Sequence, residues 1–295
     1  MTWLFGKPRE NDLPIAFRLL RRTLALSALV STELTGRWVN RLWFRTQRFP
    51  EPAREKAWLA SAERLTLTHG GRPLAVYRWG AGPTVLLVHG WHGRGGQLGA
   101  FVAPLVAAGF RVVAFDAPAH GRTPGHATNL PEVSEALSQV AAAFPPLHGV
   151  IAHSFGAAST LVAISRGLAP RRVVTLSAPA SIEFLMDSFA AQLELPAAVM
   201  DVHRRLMEQR FGADVWRRLS PTVIARGIDI PALLVHDQQD HDVPWQEGET
   251  LAHAWPNAIS IQTQGLGHRR ILRDPAVVAR SVAFMAESSV QLISK

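Results

Sequence analysis

The sequence predicts an α/β fold in which a mostly parallel central sheet is covered by helices on both faces. Two observations support this fold class. Short runs such as residues 85–88 are apolar without alternation, which is typical of strands that are buried on both faces. Segments with helical spacing follow these runs, and strands that alternate with helices form parallel sheets. In such sheets the functional residues gather at the carboxyl ends of the strands.

Residues 1–60 are predicted to form an N-terminal helical arm. Residues 14–48 carry apolar side chains at helical spacing, and Pro50 and Pro52 end that segment. The arm holds 11 of the 31 basic residues and only 5 of the 23 acidic residues. It either packs on the main domain or lies on a membrane surface with its arginines directed at lipid phosphates. We favour packing, because the arginines do not segregate to one face, and we expect the arm to contribute stability or attachment but no chemistry.

Residues 61–180 and 227–295 are predicted to form the main domain. It begins with a hairpin around Gly70 and Gly71, where apolar and polar residues alternate. Residues 181–226 interrupt the later alternation of strands and helices, and this helical insertion is too long for an ordinary connection. We expect it to form a cap over the carboxyl ends of the strands. The strands are predicted at residues 84–90, 111–116, 149–154, 171–179, 231–237 and 258–265, and the helices at residues 97–109, 130–144, 157–167, 250–255 and 276–288.

The composition excludes several classes of function. The chain has no cysteine, which excludes disulfide bonds, a thiolate nucleophile and a cysteine-based zinc site. The formal net charge is +8, but beyond residue 60 the chain carries 20 basic and 18 acidic residues and is nearly neutral. A nucleic-acid-binding protein usually carries its basic residues on its functional domain, so we expect no nucleic-acid partner. We also expect neither a metal nor a cofactor.

The sequence predicts no membrane span. No apolar run near the N-terminus approaches the roughly 20 residues that a helix needs to cross a bilayer. We therefore expect a cytoplasmic protein whose contact with a membrane, through the arm, is peripheral. The pair Arg21 and Arg22 before the apolar residues 24–30 leaves export by a twin-arginine signal as an alternative.

A serine stands where a predicted strand meets a predicted helix. The apolar residues 150–152 stop at His153 and Ser154, and small residues open the following helix. Ala152 and Gly156, two positions before and after the serine, let the strand and the helix approach closely while the hydroxyl projects from the turn. A serine that only caps the helix is the alternative, but a cap requires neither the strand nor small residues on both sides. The pattern therefore favours Ser154 as a nucleophile.

Five segments of the chain resemble the functional loops of the α/β-hydrolase superfamily. They read "LLVHGW", "DAPAHGRT", "AHSFGA", "HDQQDHDVP" and "GLGHRRIL", and the likeness covers roughly residues 64–290. In the second segment Ala119 and Thr123 stand where the family often has glycine and serine. The resemblance is to a branch of bacterial hydrolases whose substrates are poorly defined. It implies the fold and the chemistry but not the substrate.

The resemblance implies a catalytic triad in the order Ser, Asp, His along the chain. Ser154 is the implied nucleophile, and His268 is the base that takes its proton. Three carboxylates compete for the acid, which orients the imidazole and stabilises its charged form. Asp240 is favoured, because it occupies the place of the acid in the pattern Asp-x-x-Val-Pro. Asp237 is expected to hold the turn, and Asp242 to cap the helix that follows.

The resemblance also implies an oxyanion hole formed by the backbone N–H groups of Trp91 and Phe155. The cap carries six basic and six acidic residues, so we do not expect a highly charged substrate. The histidines and aspartates at residues 236–242 could form a metal site, but the hydrolase interpretation already uses this loop. Four residues are expected to line the substrate pocket: His89, which also shapes the oxyanion loop, His153, Phe184 and Phe189.

These features predict a serine hydrolase that cleaves small-molecule carboxylic esters through an acyl-enzyme, as carboxylesterases and lipases do. The same triad could instead transfer the acyl group, or cleave a lactone or a thioester. A non-catalytic ligand-binding protein on a hydrolase fold is the alternative from a different class. Binding-only relatives usually lose a member of the triad, whereas all three positions are filled here. The sequence does not predict an oligomeric state.

Overall fold

An eight-stranded sheet forms the centre of the structure, a computed structural model that describes residues 14–287. The remaining parts of the predicted arm and main domain, residues 1–13 and 288–295, lie outside the described residues. The strands are β1 (Glu63–His69), β2 (Arg72–Trp79), β3 (Thr84–Val88), β4 (Arg111–Phe115), β5 (Leu147–His153), β6 (Arg172–Leu176), β7 (Ala232–Asp237) and β8 (Ala258–Thr263).

The strand order is β1-β2-β4-β3-β5-β6-β7-β8. β2 pairs antiparallel with β1 and β4, and the other neighbours are parallel. The predicted hairpin joins β1 to β2 through Gly70 and Gly71, whose φ angles are 54° and 75°. Such positive angles match a two-residue turn of the kind that glycine favours.

Thirteen α-helices lie within the described residues. They are α1 (Ile15–Val30), α2 (Thr32–Trp43), α3 (Ala53–Ala60), α4 (Val102–Ala107), α5 (Leu130–Ala143), α6 (Phe155–Ser165), α7 (Ile182–Leu193), α8 (Ala197–Phe211), α9 (Val215–Arg218), α10 (Pro221–Ala225), α11 (Trp245–Ala254), α12 (Gly267–Arg270) and α13 (Pro275–Ala286). Two 3₁₀-helices, Gly95–Phe101 and Ile271–Arg273, precede α4 and α13.

Helices cover both faces of the sheet, which confirms the predicted fold class. Side chains of β3 alternate between the two faces, so that Leu86 belongs to one apolar cluster and Leu87 to the other. Residues of α5, α6 and α11 complete the first cluster. Residues of α3, α4 and α13 complete the second. All residues of β3, β6 and β7 are buried, as their continuous apolar pattern predicts.

The helical insertion lies between β6 and β7 and consists of α7 to α10. Helices α1 and α2 of the N-terminal arm pack on this insertion, which differs from the expectation that the arm packs on the main domain, whereas α3 does pack on the main domain through Leu59. Leu24 and Val39 of the arm share an apolar cluster with Leu193 and Val199 of the insertion. A Cβ on Gly36 would lie 2.4 Å from the Cβ of Val202, so α2 and α8 approach each other at a position where only glycine fits.

The predicted helical segment, residues 14–48, consists of two helices, α1 and α2, where the sequence suggested one continuous helix. Ser31 separates α1 from α2, and its Oγ accepts a hydrogen bond from the backbone N–H of Leu34. Serine at this position caps the second helix. No helix among residues 14–287 is long and apolar enough to cross a membrane.

Candidate active site

Ser154 lies at the turn between β5 and α6 with φ 52° and ψ −122°. This backbone conformation is strained for any residue that has a side chain. The backbone N–H of Ser154 donates to the carbonyl oxygen of Leu176, 2.9 Å away, on the neighbouring strand. A Cβ on Gly156 would lie 2.5 Å from the carbonyl oxygen of His89. Glycine is therefore required where the helix passes β3, and the turn holds the serine in the geometry of a nucleophile elbow.

His268 and Asp240 form a hydrogen-bonded pair. The imidazole Nδ1 lies 2.8 Å from Oδ2 of Asp240, and the carboxylate side chain is fully buried. The other oxygen, Oδ1, accepts the backbone N–H groups of Asp242 and Val243 at 2.9 Å each. Because Nδ1–H donates to the carboxylate, Nε2 of the neutral ring is free of a proton and can accept one.

Asp240 remains ionised although its side chain is buried. Burial raises the pKa of this carboxyl. The hydrogen bond and the positive charge of His268, together with the N–H of Val243, lower the pKa by more than burial raises it. The pKa is lowered to about 2. A buried carboxylate that keeps its charge can stabilise an imidazolium beside it.

The other two aspartates of this loop have different contacts. Asp237 accepts the backbone N–H groups of Gln239 and Leu266 at 2.9 Å each and the hydroxyl of Thr263 at 2.8 Å, so it fixes the turn and the loop before α12. Asp242 lies 3.4 Å from the guanidinium of Arg269. The expectation that Asp242 caps the next helix is wrong, because α11 begins after Pro244 without a side-chain cap.

His153 precedes the serine in the chain and packs against the ring of His268. Its Nε2–H donates to the backbone carbonyl of His268 at 2.9 Å, and the two ring centroids are 4.5 Å apart. Burial holds the pKa of His153 well below its usual value, so the ring is neutral. The predicted pocket residue therefore also positions the backbone of His268.

The two predicted oxyanion donors lie on either side of Ser154. Phe155 opens α6, and Trp91 follows Gly90, where an added Cβ would lie 3.1 Å from the Cβ of Ser154. The rings of Trp91 and Phe155 meet edge to face with centroids 4.8 Å apart. Within residues 14–287, neither backbone N–H has a hydrogen-bond acceptor. Both donors are thus available to a substrate oxygen.

His89 does not line a pocket, and this part of the sequence prediction is wrong. The side chain is buried beneath the oxyanion loop, where Nδ1–H donates to the carbonyl of Gly90 at 2.7 Å and Nε2 accepts the N–H of Ala117 at 3.0 Å. His120 acts in the same way, since its Nε2 accepts the N–H of His92 at 3.0 Å. The two imidazoles hold the loop that carries Trp91.

Two cavities meet at Ser154. The first, here called the polar cavity, has a volume of about 770 Å³ including its open mouth. The second, here called the apolar cavity, has a volume of about 740 Å³ on the same measure. Ser154 and Trp91 line both. Residues of the polar cavity include Arg54, His153, Asp242, His268, Arg269 and Arg273. Residues of the apolar cavity include Trp43, Phe44, Leu130, Leu185, Phe189 and Phe211.

Only one of the two predicted cap phenylalanines lines a cavity that contains Ser154. Ile182, Leu185 and Phe189 line the apolar cavity at successive turns of α7. Phe184 lines neither cavity that contains Ser154, because its position between Ile182 and Leu185 directs it to another side of the helix. The prediction of Phe184 as a pocket residue is therefore wrong.

The arm contributes to the site, contrary to the expectation that it gives only stability or attachment. Trp43 at the end of α2 and Phe44 after it line the apolar cavity beside Ser154. The ring of Trp43 packs edge to face on Phe189 of α7, with centroids 5.2 Å apart. No pattern in the sequence predicts this role, because it depends on how the arm packs against the cap.

The histidine that opens the loop of residues 236–242 is held within that loop. His236 Nε2–H donates to the carbonyl of Val243 at 2.8 Å and lies 3.6 Å from Oδ2 of Asp240. Among residues 14–287, no group of three or more metal-ligating side chains is arranged to hold a metal ion.

Comparison with known proteins assigns the chain to a family. A sequence model of the alpha/beta hydrolase family matches residues 85–281, which is more than half of the chain. The protein therefore belongs to the alpha/beta hydrolase family, and the resemblance drawn from the sequence is confirmed. Membership of this family supports hydrolase activity. A search of curated protein sequences found no match.

Solved structures with this fold span most of the chain. A membrane phospholipase A has a TM-score of 0.61 and 18% identity, covering 94% of this chain and 99% of that one. The esterase RhEst1 from Rhodococcus sp. ECU1013 has a TM-score of 0.58 and 16% identity, covering 77% and 99%. A bromoperoxidase from Bacillus anthracis has a TM-score of 0.57 and 16% identity, covering 77% and 100%. At these identities the likeness shows the fold alone.

Stability is expected to fall as the pH is lowered through the titration range of histidine. Burial lowers the pKa of six histidines, to about 4 for His92 and His203. The unfolded chain therefore binds more protons than the folded protein below about pH 6.5, and protons favour unfolding there. Thermal unfolding followed by circular dichroism should give a constant midpoint above about pH 7.5 and a falling one below about pH 6.5. A midpoint that stays constant down to pH 5 would contradict this account. The six are His89, His92, His120, His153, His203 and His236.

Proposed function

We propose that the protein is a serine hydrolase that cleaves carboxylic esters through an acyl-enzyme. The hydrogen bond between His268 and the buried Asp240, in a loop whose histidine shares a cavity with Ser154, is the observation that carries this proposal. The apolar cavity on the other side of the serine is suited to an acyl chain. Carboxylesterases and lipases act on substrates of this kind.

In the first half of the reaction, Ser154 Oγ attacks the ester carbonyl carbon while His268 Nε2 takes the hydroxyl proton. The negative charge that develops on the carbonyl oxygen is stabilised by the N–H groups of Trp91 and Phe155. The bond to the alcohol oxygen then breaks, and the imidazolium returns its proton to that oxygen. The products are a free alcohol and Ser154 esterified with the acyl group.

In the second half, water replaces the alcohol. His268 removes a proton from the water, whose oxygen attacks the acyl carbon, and the same oxyanion donors stabilise the intermediate. The bond between the acyl carbon and Ser154 Oγ then breaks, and Oγ takes the proton from His268. This step releases a carboxylic acid and restores the serine. Asp240 keeps the imidazole in the required tautomer and stabilises its charged form in both halves.

Replacement of Asp240 tests whether this buried carboxylate is the acid that orients His268. Asp240→Asn should lower kcat by on the order of 10³–10⁴, because an amide stabilises the wrong tautomer of His268. Asp242→Asn, two residues away, should change kcat far less, since its carboxylate contacts Arg269 and not the imidazole. Steady-state hydrolysis of 4-nitrophenyl butyrate measures both. A large loss in Asp242→Asn with an active Asp240→Asn would assign the acid to Asp242.

The apolar cavity should set the preference for acyl-chain length. Phe189→Ala is expected to lower kcat/KM for a decanoyl ester by on the order of tenfold relative to an acetyl ester, because the longer chain loses its contact with the ring. Phe184→Ala is the matched control on the same helix, and it should leave the ratio unchanged. Equal losses on both esters in Phe189→Ala would show that the ring only supports the fold.

We propose in addition that the arm makes a peripheral contact with a membrane. Leu19, Leu26 and Val30 are more than half exposed and share one side of α1 with the exposed Arg22. A helix side that combines apolar residues and arginine fits the headgroup layer of an anionic bilayer. Six large apolar side chains of the arm are exposed by 56% to 87%: Ile15, Leu19, Leu26, Leu29, Val30 and Leu34.

Cosedimentation with phosphatidylglycerol vesicles tests this contact. The double substitution Leu26→Glu/Val30→Glu should weaken binding at least about tenfold, because each change removes apolar burial and adds a charge repelled by the lipid. The control Val223→Glu/Ile259→Glu alters two exposed apolar residues outside the arm and should bind as the wild type does. Binding that is equal in all three proteins, or absent from the wild type, would contradict the proposal.

A further inference from the structure

Arginines line the polar cavity near the proposed nucleophile. Arg54 lies in the first turn of α3. Arg269 and Arg273 follow the proposed catalytic histidine in the chain. Arg269 lies 3.4 Å from Asp242. Among residues 14–287, neither Arg54 nor Arg273 makes a side-chain hydrogen bond or an ion pair. Two unpaired positive charges therefore border the cavity.

The acidic residues of the cavity do not neutralise these two arginines. Glu55 binds the buried guanidinium of Arg94 at 2.5 Å, and Asp242 faces Arg269. Arg54 and Arg273 line the same cavity, and the pKa of Arg273 is lowered by burial and by the positive charges of Arg54 and Arg270, against a smaller opposing effect of Glu55. Two guanidinium groups that border one cavity, neither of them in an ion pair, favour binding of an anion between them.

The position of the histidine determines which part of a substrate enters this cavity. In the proposed reaction His268 donates a proton to the oxygen of the departing alcohol, so that oxygen must lie beside the imidazole. His268 lines the polar cavity and does not line the apolar one. The leaving group is therefore on the side of the arginines, and the acyl chain is on the side of Phe189.

We propose that the substrate is an ester of an apolar acyl chain with an alcohol that bears a phosphate or a carboxylate, and that Arg54 and Arg273 bind this anion. The inference rests on the proposed hydrolase function and adds the chemistry of the leaving group. Guanidinium groups suit both anions, because their fork of N–H donors matches two oxygens of either group. The balanced charge of the cap, which argued against a charged substrate, is not relevant here, since both arginines belong to other elements.

Two matched pairs of octanoyl esters test the inference. The first compares 1-octanoylglycerol 3-phosphate with 1-octanoylglycerol and represents a lipid headgroup. The second compares the 3-carboxy-4-nitrophenyl ester with the 4-nitrophenyl ester and represents a small soluble anion. The wild type should have a higher kcat/KM for the anionic member of at least one pair. A preference in the first pair indicates a lipid headgroup, and a preference in the second indicates a small soluble anion. The preference should decrease as salt is added, because salt screens exposed charges.

The double substitution Arg54→Gln/Arg273→Gln should reduce the ratio of anionic to neutral kcat/KM by at least about tenfold, since each lost contact is a hydrogen bond to a charged group. Arg64→Gln/Arg171→Gln removes the same charge from two exposed arginines that line neither cavity, and it should keep the wild-type ratio.

The outcomes separate this inference from the function on which it rests. A wild type that hydrolyses both members of each pair equally would overturn the inference and leave the hydrolase proposal standing. The same holds if the Arg54→Gln/Arg273→Gln protein keeps the full preference for the anion, or if the Arg64→Gln/Arg171→Gln control loses it equally. Failure of the folded wild type to hydrolyse any of the four esters would contradict the hydrolase proposal itself.

Discussion

The hydrogen bond between the Asp240 carboxylate and Nδ1–H of His268 is the contact on which the rest of the site depends. It joins the loop after β7 to the loop after β8, and each loop is fixed by a further buried group. His236 donates to the carbonyl of Val243 in the first loop, and Asp237 accepts the hydroxyl of Thr263 and the N–H of Leu266 at the second. The carboxylate keeps its charge although it is buried, because the imidazole and two backbone donors compensate for the lost solvent.

Neutral histidines form much of the framework around this pair. An imidazole can donate through one nitrogen and accept through the other only while it is uncharged. His89 and His120 use both nitrogens in this way to hold the oxyanion loop, and His153 supports the backbone of His268. Burial keeps these three rings neutral. The same property that orders the site therefore makes it sensitive to acid.

The sequence predicts those parts of the site that depend on local geometry. Small residues on both sides of Ser154 and the strand before it specify the elbow, and the loop pattern points to Asp240, which contacts His268. The parts it does not predict depend on tertiary packing. Phe44 lines the apolar cavity because the arm packs on the cap, and the sequence pattern of the arm contains no trace of that contact. His89 borders the oxyanion loop in sequence, but its side chain turns beneath the loop to satisfy buried backbone groups.

The central claim is that Ser154 is a nucleophile activated by His268. It is tested most directly by reaction with a fluorophosphonate probe, followed by mass spectrometry of the labelled peptide. The account predicts rapid labelling of the wild type at Ser154, none at this position in Ser154→Ala, and strongly slowed labelling in His268→Gln, because the hydroxyl then lacks its base. Labelling of another residue, or a folded wild-type protein that does not react, would contradict it.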